Sequence, residues 1–431
     1  MTLIPVGFRW VMTRCFSGLI ILFLFAGSIN ARQLLIPMDK GGQRQHLKAY
    51  GIAYWVLEKQ QDVFWLLNYR GGSFMTDYNA EVERECRIRG VDFSVISSSE
   101  AASILDDIAR PDKNMEAVKL EKVPKIAVYS PPHMAPWDDA VTLVLTYAEI
   151  PYDIIYDEEV LGDELAGYDW LHLHHEDFTG QYGKFYAAYR NAPWYIKQKK
   201  DLERMAAELG FNKVSQMKLA VVKKIKEFTL GGGFTFAMCS ATDTYDIALA
   251  AEGIDICESM FDGDPADPNY NSKLNFSRTF AFKNFTLVTN PMEYEYSDID
   301  VTNTRSVKAE NDYFGLFEFS AKWDVVPAML TQNHTRVIKG FMGQTTAFRK
   351  SLIKPSVIIL GENKSAGEAR YIHGEVGKGF FSFYGGHDPE DYQHRVGDPP
   401  TDLSLHPTSP GYRLILNNVL FPAARKKKQK T

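Results

Sequence analysis

Apolar residues recur along this chain in two rhythms, and these predict where strands and helices lie. Short apolar runs bounded by polar clusters, glycine or proline predict strands: LLIP (34–37), DVFWLLNY (62–69) and VDFSVI (91–96) in the first quarter. Between them HLKAYGIAYWVLEK (46–59) has apolar residues at helical spacing, weakened by Gly51. NAEVERECRIRG (79–90) predicts a charged helix closed by glycine. SSEAASILDDIA (98–109) opens on serine and has a glutamate in its first turn. Strands alternating with helices imply a parallel sheet, so 33–109 is expected as a small α/β domain. Residues 110–123 are charged, contain proline and lack a period, and are expected as a linker.

A second series follows. KIAVYS (125–130), YDIIYD (152–157), DWLHLHHED (169–177) and FTFAM (234–238) predict strands. Helical patterns cover 137–150, a short piece after 157, and two segments within 196–227. After an irregular, aromatic and polar stretch (261–319) the strands resume at 337–343, 356–362, 369–376 and 377–387, and GYRLILNNVLF (411–421) predicts a closing helix. The expected fold class is α/β: a doubly wound, mostly parallel sheet over 124–422 with an insertion, preceded by the smaller domain. In such sheets the site lies beyond the carboxyl ends of the strands.

The N-terminus changes the picture of where the protein works. Arg9 and Arg14 precede the apolar run 18–27, and Ala26, Ser28 and Ala31 follow. That order is the order of a secretory signal, so residues 1–31 are expected as a signal peptide and the protein as exported, periplasmic or extracellular. Removing them removes Cys15 and leaves Cys86, Cys239 and Cys257, too few for a disulfide framework. A formal net charge of −6 gives no basic excess, so no nucleic-acid partner is expected. The tail RKKKQKT (425–431) reads as a solvated end that offers weak contact to an anionic membrane surface. Composition and pattern leave the oligomeric state open and call for no cofactor.

The chemistry-bearing residues collect where the second series of strands ends. One strand runs into His133, the next into His174, His175, Glu176 and Asp177, a third into Cys239, and a fourth through Gly385 and Gly386 into His387, Asp388 and Glu390. Cys239 sits between a strand and a helix, with Ala237 and Ala241 two positions away on either side. That is the pattern of a nucleophile elbow, which needs small neighbours. A helix N-terminus lowers a thiol pKa and offers N–H donors to an oxyanion. His387 is the candidate base, and Glu390 or Asp388 the group that orients it. His172 and His174 point to one face of their strand and His175 to the other. These imidazoles with His133, His387 and the carboxylates form a candidate substrate-binding rim. No tight ligand spacing such as HExxH appears, so no metal is assigned. RGGSF (70–74) lacks the pattern of a phosphate loop.

The elbow FAMCSA and the late GKGFFSFYGGHDPE resemble a class I glutamine amidotransferase-like domain, and the closing GYRLILNNVLF resembles the trehalose-utilisation-type members of that superfamily. From LLIPMDKGGQRQHLKAYGIAYWVLE and WLLNYRGGSF onward the chain is also similar to Bacteroidota proteins labelled asparagine synthetase B. The first resemblance implies a flavodoxin-like frame with Cys239 as nucleophile, His387 as base and Glu390 as the third member. The elbow reads Ala-Met-Cys-Ser-Ala where that family has Gly-x-Cys-x-Gly, and His387 and Glu390 are three apart where it has His-x-Glu. Neither an SGGxDS-like pyrophosphate loop nor a mature N-terminal cysteine is present, so the expected chemistry is hydrolysis rather than ATP-driven amide formation. The expected function is attack of Cys239 on an amide or ester carbonyl of a small amide, a peptide or an envelope fragment. The alternative of another class is a sugar- or peptide-binding module without turnover.

Overall fold

The computed structural model describes residues 32–131, 139–324 and 328–424. The expected signal peptide 1–31, His133 and the basic tail 425–431 lie outside the described residues. Among the described residues no helix is long and apolar enough to cross a membrane.

Strands β1 (Arg32–Ile36), β2 (Val63–Leu67), β3 (Ser73–Asp77), β4 (Ser94–Ser97) and β5 (Glu116–Leu120) form one sheet, in the order β4-β1-β3-β2-β5. Every neighbouring pair is antiparallel, which corrects the parallel sheet expected from alternation alone. Helix His46–Glu58 does carry the chain from β1 to β2, which run the same way, but β3 slots between them. The slot is made by a tight reversal after β2. Asn68, Arg70, Gly71 and Gly72 all have positive φ, between 44° and 85°, and such residues let a hairpin turn follow the strand twist. RGGSF is therefore a turn and the start of a strand. Residues 110–123 are not a free linker: β5 pairs along β2 from Val63↔Leu120 to Leu67↔Glu116, with Val118 and Leu120 buried.

The second sheet contains β6 (Ile126–Tyr129), β7 (Asp153–Ile155), β8 (Trp170–Leu173), β9 (Phe234–Met238), β10 (Tyr313–Leu316), β11 (Val337–Lys339), β12 (Phe348–Arg349), β13 (Ile358–Asn363), β14 (Glu368–Val376) and β15 (Gly379–Tyr384). Its order is β11-β10-β13-β14-β15-β9-β8-β6-β7, with β12 on β14. The run β7-β6-β8-β9-β15 is parallel, and everything beyond β15 is antiparallel. The sheet is thus mixed, where the sequence pattern suggested a mostly parallel one. The cause is local. β14 and β15 pair up to Val376↔Gly379, so only two residues join them, and Gly377 supplies the required φ of 64°. Parallel neighbours need a long crossover, which this stretch does not contain.

Residues alternate between two hydrophobic layers as the strand pleat requires. Ile126, Val128, Trp170, Phe236 and Met238 face one cluster, while Ala127, Tyr129, Leu171, Leu173 and Ala237 face the other. The first cluster also takes in Leu34, Trp65, Phe74 and Leu120 of the small sheet, so one core runs through both sheets. Helix His46–Glu58 packs there on helices Ala140–Ala148 and Pro410–Leu420. Gly51 allows that approach: a Cβ would lie 1.8 Å from the Ala148 carbonyl oxygen. Arg413, fully buried, fixes the same junction. Its Nε donates to the Tyr50 hydroxyl at 3.0 Å, one Nη donates to the Met38 carbonyl at 3.1 Å, and the other reaches the Gly71 carbonyl.

Candidate functional site

The parallel strands β8, β9 and β15 bring three of the expected groups to one edge. After β9 the chain turns at Cys239 into helix Ala241–Ala250, and Cys239 has φ 54°. A left-handed non-glycine residue costs about 1–2 kcal/mol, so it persists only where its surroundings hold it. The Cys239 N–H donates to the Gly386 carbonyl at 3.1 Å, and its own carbonyl accepts from the Thr242 hydroxyl at 2.6 Å. The Ala241 N–H donates to the His174 carbonyl at 3.2 Å, which ties the end of β8 to the elbow.

Around the sulfur, the Gln344 N–H donates to Sγ at 3.4 Å, and the N–H groups of Ser240 and Thr345 also favour the thiolate. The thiol is nonetheless pushed up to about 11, because burial outweighs those donors. This overturns the expectation that the helix N-terminus leaves a lowered thiol pKa. Cys239 is 4% exposed, and removing a charge from water costs more than three N–H dipoles return.

Segment 340–346, which supplies two of those donors, was not foreseen. The strand expected over 337–343 is shorter, since β11 stops at Lys339, and Gln344 and Thr345 lie beyond it. A Cβ on Gly343 would lie 2.7 Å from the His387 backbone nitrogen. Only glycine lets this segment come so close to the end of β15. There the His387 N–H donates to the Met342 carbonyl at 2.9 Å, and the Gly386 N–H to the Thr345 carbonyl at 2.8 Å. The Thr345 hydroxyl donates to Asp243 Oδ1 at 3.0 Å, and burial pushes that carboxyl up to about 7.

His387 sits on the same rim, but its ring is turned to other partners. Its Nδ1 lies 2.9 Å from His174 Nε2, and its ring centroid is 4.7 Å from that of His174, 5.8 Å from that of His175 and 4.8 Å from that of His394. His172 Nε2 lies 3.2 Å from Asp139 Oδ2, and His174 Nδ1 lies 3.6 Å from Asp139 Oδ1. Asp139 is also the N-cap of helix Ala140–Ala148, accepting from the N–H groups of Val141 and Thr142. Burial first, and neighbouring imidazoles second, lower His387 to about 4 and hold His174 far below the usual histidine range. His175 is lowered well below it in the same way.

The remaining expected residues are placed as follows. Glu390 turns away from His387, and its carboxylate lies 3.1 Å from His406 Nδ1. Asp388 is buried and accepts from the N–H groups of Glu390 and Asp391, holding the turn after β15. Glu176 takes the Tyr156 hydroxyl at 3.3 Å and lies 3.6 Å from Lys218, and burial pushes it up to about 7. Lys218 in turn is 2.9 Å from Asp157. Cys86, Cys239 and Cys257 are all free and buried.

The fold and the site together define an α/β protein with a cysteine elbow and a buried imidazole cluster at the ends of parallel strands. No protein-family model matches the chain, and no curated protein matches it. Among solved structures it is similar to two cytoplasmic proteins of Salmonella typhimurium, STM3548 and STM1381. Each is 12% identical, over 70% of this chain and 100% of the other, with TM-scores of 0.34 and 0.33. It is also similar to a catalytic mutant of Gan42B, a GH42 beta-galactosidase from G. stearothermophilus, at 10% identity. That match covers 61% of this chain and 27% of the other, with a TM-score of 0.25.

Proposed function

We propose that this protein is an exported, cysteine-dependent hydrolase of a small amide, peptide or envelope-derived ester or amide, built on a doubly wound frame of the amidotransferase type. The frame is supported by the order β7-β6-β8-β9-β15, which in chain order is the 2-1-3-4-5 arrangement of flavodoxin-like sheets. The order basic, apolar, small in residues 9–31 supports export.

The observation that carries the reading is Cys239 at φ 54° with main-chain N–H groups gathered around its sulfur. In the reaction Sγ attacks the carbonyl carbon and its proton passes to an imidazole of the rim. His387 is the candidate, since it follows the Gly386 carbonyl that holds the Cys239 N–H. The oxyanion forms beside the N–H groups, the leaving amine or alcohol takes the proton, and water cleaves the thioester to give the acid and the free thiol. The resting thiol is protonated, so base assistance belongs to the complex with substrate.

A second reading has its own support. His387 is bound to His174 and Glu390 to His406, so among the described residues no triad is assembled around Cys239. That arrangement favours a ligand-binding module without turnover. The test is incubation of the full chain with p-nitrophenyl acetate and, separately, with glutamine and short peptide amides. Mass spectrometry then locates any acyl group. Product release with an acyl adduct on Cys239, both lost in Cys239→Ala, supports the hydrolase. Absence of turnover and of any Cys239 adduct refutes it and leaves the binding module.

A further inference from the structure

We infer that His174, His175 and His387 form a binding site for a divalent transition metal of the zinc type. One ring nitrogen from each of the three lies within 4.8 Å of the others, and His174 Nε2 and His387 Nδ1 are 2.9 Å apart. Zinc–nitrogen bonds of about 2.0–2.1 Å in tetrahedral geometry put the ligand nitrogens roughly 3.3–3.4 Å apart. The 2.9 Å pair lies a few tenths of an ångström inside that value and no pair of the three is further apart than 4.8 Å, so side-chain rotation would reach it. The backbone is fixed independently, by the Ala241 N–H on the His174 carbonyl and the Met342 carbonyl on the His387 N–H.

Two further features separate this cluster from chance crowding of histidines. The His387 Nε2 atom, the ring nitrogen that does not face His174, is buried and has no hydrogen-bond partner, so no hydrogen bond on that side holds the ring against a turn toward a metal. Asp139 Oδ1 lies 3.6 Å from His174 Nδ1, a buried nitrogen without a hydrogen-bond partner, so a carboxylate stands behind the ring whose Nε2 faces His387. A carboxylate behind a ligating imidazole is the usual outer partner of a zinc site. Asp139 is itself pinned by two N–H donors of the helix it caps. Three protein ligands leave a fourth position for water, the coordination of sites where zinc binds small molecules. The acidic group Asp255, Cys257 and Asp262 is also compact, but Lys213 already lies 2.5 Å from Asp255 and 3.0 Å from Asp262.

A zinc-bound His387 has no lone pair left for the Cys239 proton, so the site competes with His387 as base, and its test reads metal alone. The full chain is stripped with a chelator and titrated with zinc chloride by calorimetry, and with cobalt chloride by visible absorption. The expected result is one ion per chain and a tetrahedral cobalt spectrum lacking a thiolate charge-transfer band. Zinc affinity is expected to fall by more than about 100-fold in His174→Ala and in His387→Gln, by about 10–100-fold in Asp139→Asn, where the cap can be kept, and not in Cys257→Ser. Circular dichroism and melting of each stripped variant show that it is folded, and His387→Gln serves if His174→Ala is not. No stoichiometric binding, binding unchanged in the folded histidine variant, or a thiolate band lost in Cys257→Ser would overturn the site.

Discussion

Reactivity of Cys239 toward iodoacetamide, followed against pH in the full chain, tests the electrostatic account of the elbow. The thiol is pushed up to about 11, whereas a free cysteine titrates near about 8.5. At pH 7.5 the thiolate fraction is then about 1 in 3,000, against about 1 in 11 for a free thiol, a deficit of roughly 300-fold. Only the thiolate reacts, so the rate at Cys239 should lie at least that far below the rate for a small free thiol. It should climb close to tenfold per pH unit from 7 to 10 without a plateau. Cys86, pushed up to about 12 by burial and fully covered, should label more slowly still at every pH. Peptide mass spectrometry reads each cysteine in the same sample. A plateau below pH 8, or labelling as fast as a free thiol at pH 7.5, would refute the argument that burial outweighs the Gln344, Ser240 and Thr345 donors. It would mean that an imidazole holds the sulfur as thiolate in the resting protein.

Two further outcomes follow from the fold. Gly51→Ala places a methyl 1.8 Å from the Ala148 carbonyl oxygen, so it should destabilise by about 1–3 kcal/mol despite a helix-propensity gain of roughly 1 kcal/mol; urea unfolding measures this, and an unchanged or raised midpoint refutes the close packing. His373 is buried between Phe234 and Phe380 and lowered to about 3 by burial, so its contribution to stability is fully present above pH 6.5 and is lost as pH falls from there toward about 3. The slope of stability should reach about 1.4 kcal/mol per pH unit between pH 6 and 4 from this group, and His373→Asn should flatten it by that amount in urea titrations at several pH values.

Much of the rim is legible in the sequence because buried strands end abruptly on titratable residues. Leu173 gives way to His174, Met238 to Cys239 and Tyr384 to the glycines before His387. Ala237 and Ala241 mark the elbow, since a sharp turn has no room for larger neighbours. The orientation of side chains past those ends is not legible. Pro389 and the Asp388 cap rotate the chain so that Glu390 meets His406, and spacing alone carries no trace of that turn. Asp139 also escapes notice. It reads as one of two aspartates opening a helix, and only the pairing of β6 with β8 brings that helix N-terminus to His172 and His174. The donors at Gln344 and Thr345 lie in a stretch without period, placed by glycine contacts that a one-dimensional pattern does not encode. In the small sheet the hairpin at Asn68–Gly72 decides strand direction, and alternation of strands and helices is blind to it.

Arg413 has a meaning for how the chain is made. Its carbonyl partner at Met38 is 375 residues earlier in the sequence, and the Glu121 N–H likewise waits for the Ala423 carbonyl. During synthesis the first sheet leaves the ribosome with Tyr50, Leu47 and Ala53 on a helix that meets Ala140–Ala148 early but Pro410–Leu420 only much later. The part of its apolar face that Pro410–Leu420 covers stays open until that helix has emerged. Contacts of such long separation close slowly, and exposed apolar surface invites association with other chains while they do. Helix Pro410–Leu420 is therefore a fastener applied late, after the strands of both sheets have been made. A ribosome that stops before it releases a chain with an open core rather than a shortened but finished protein.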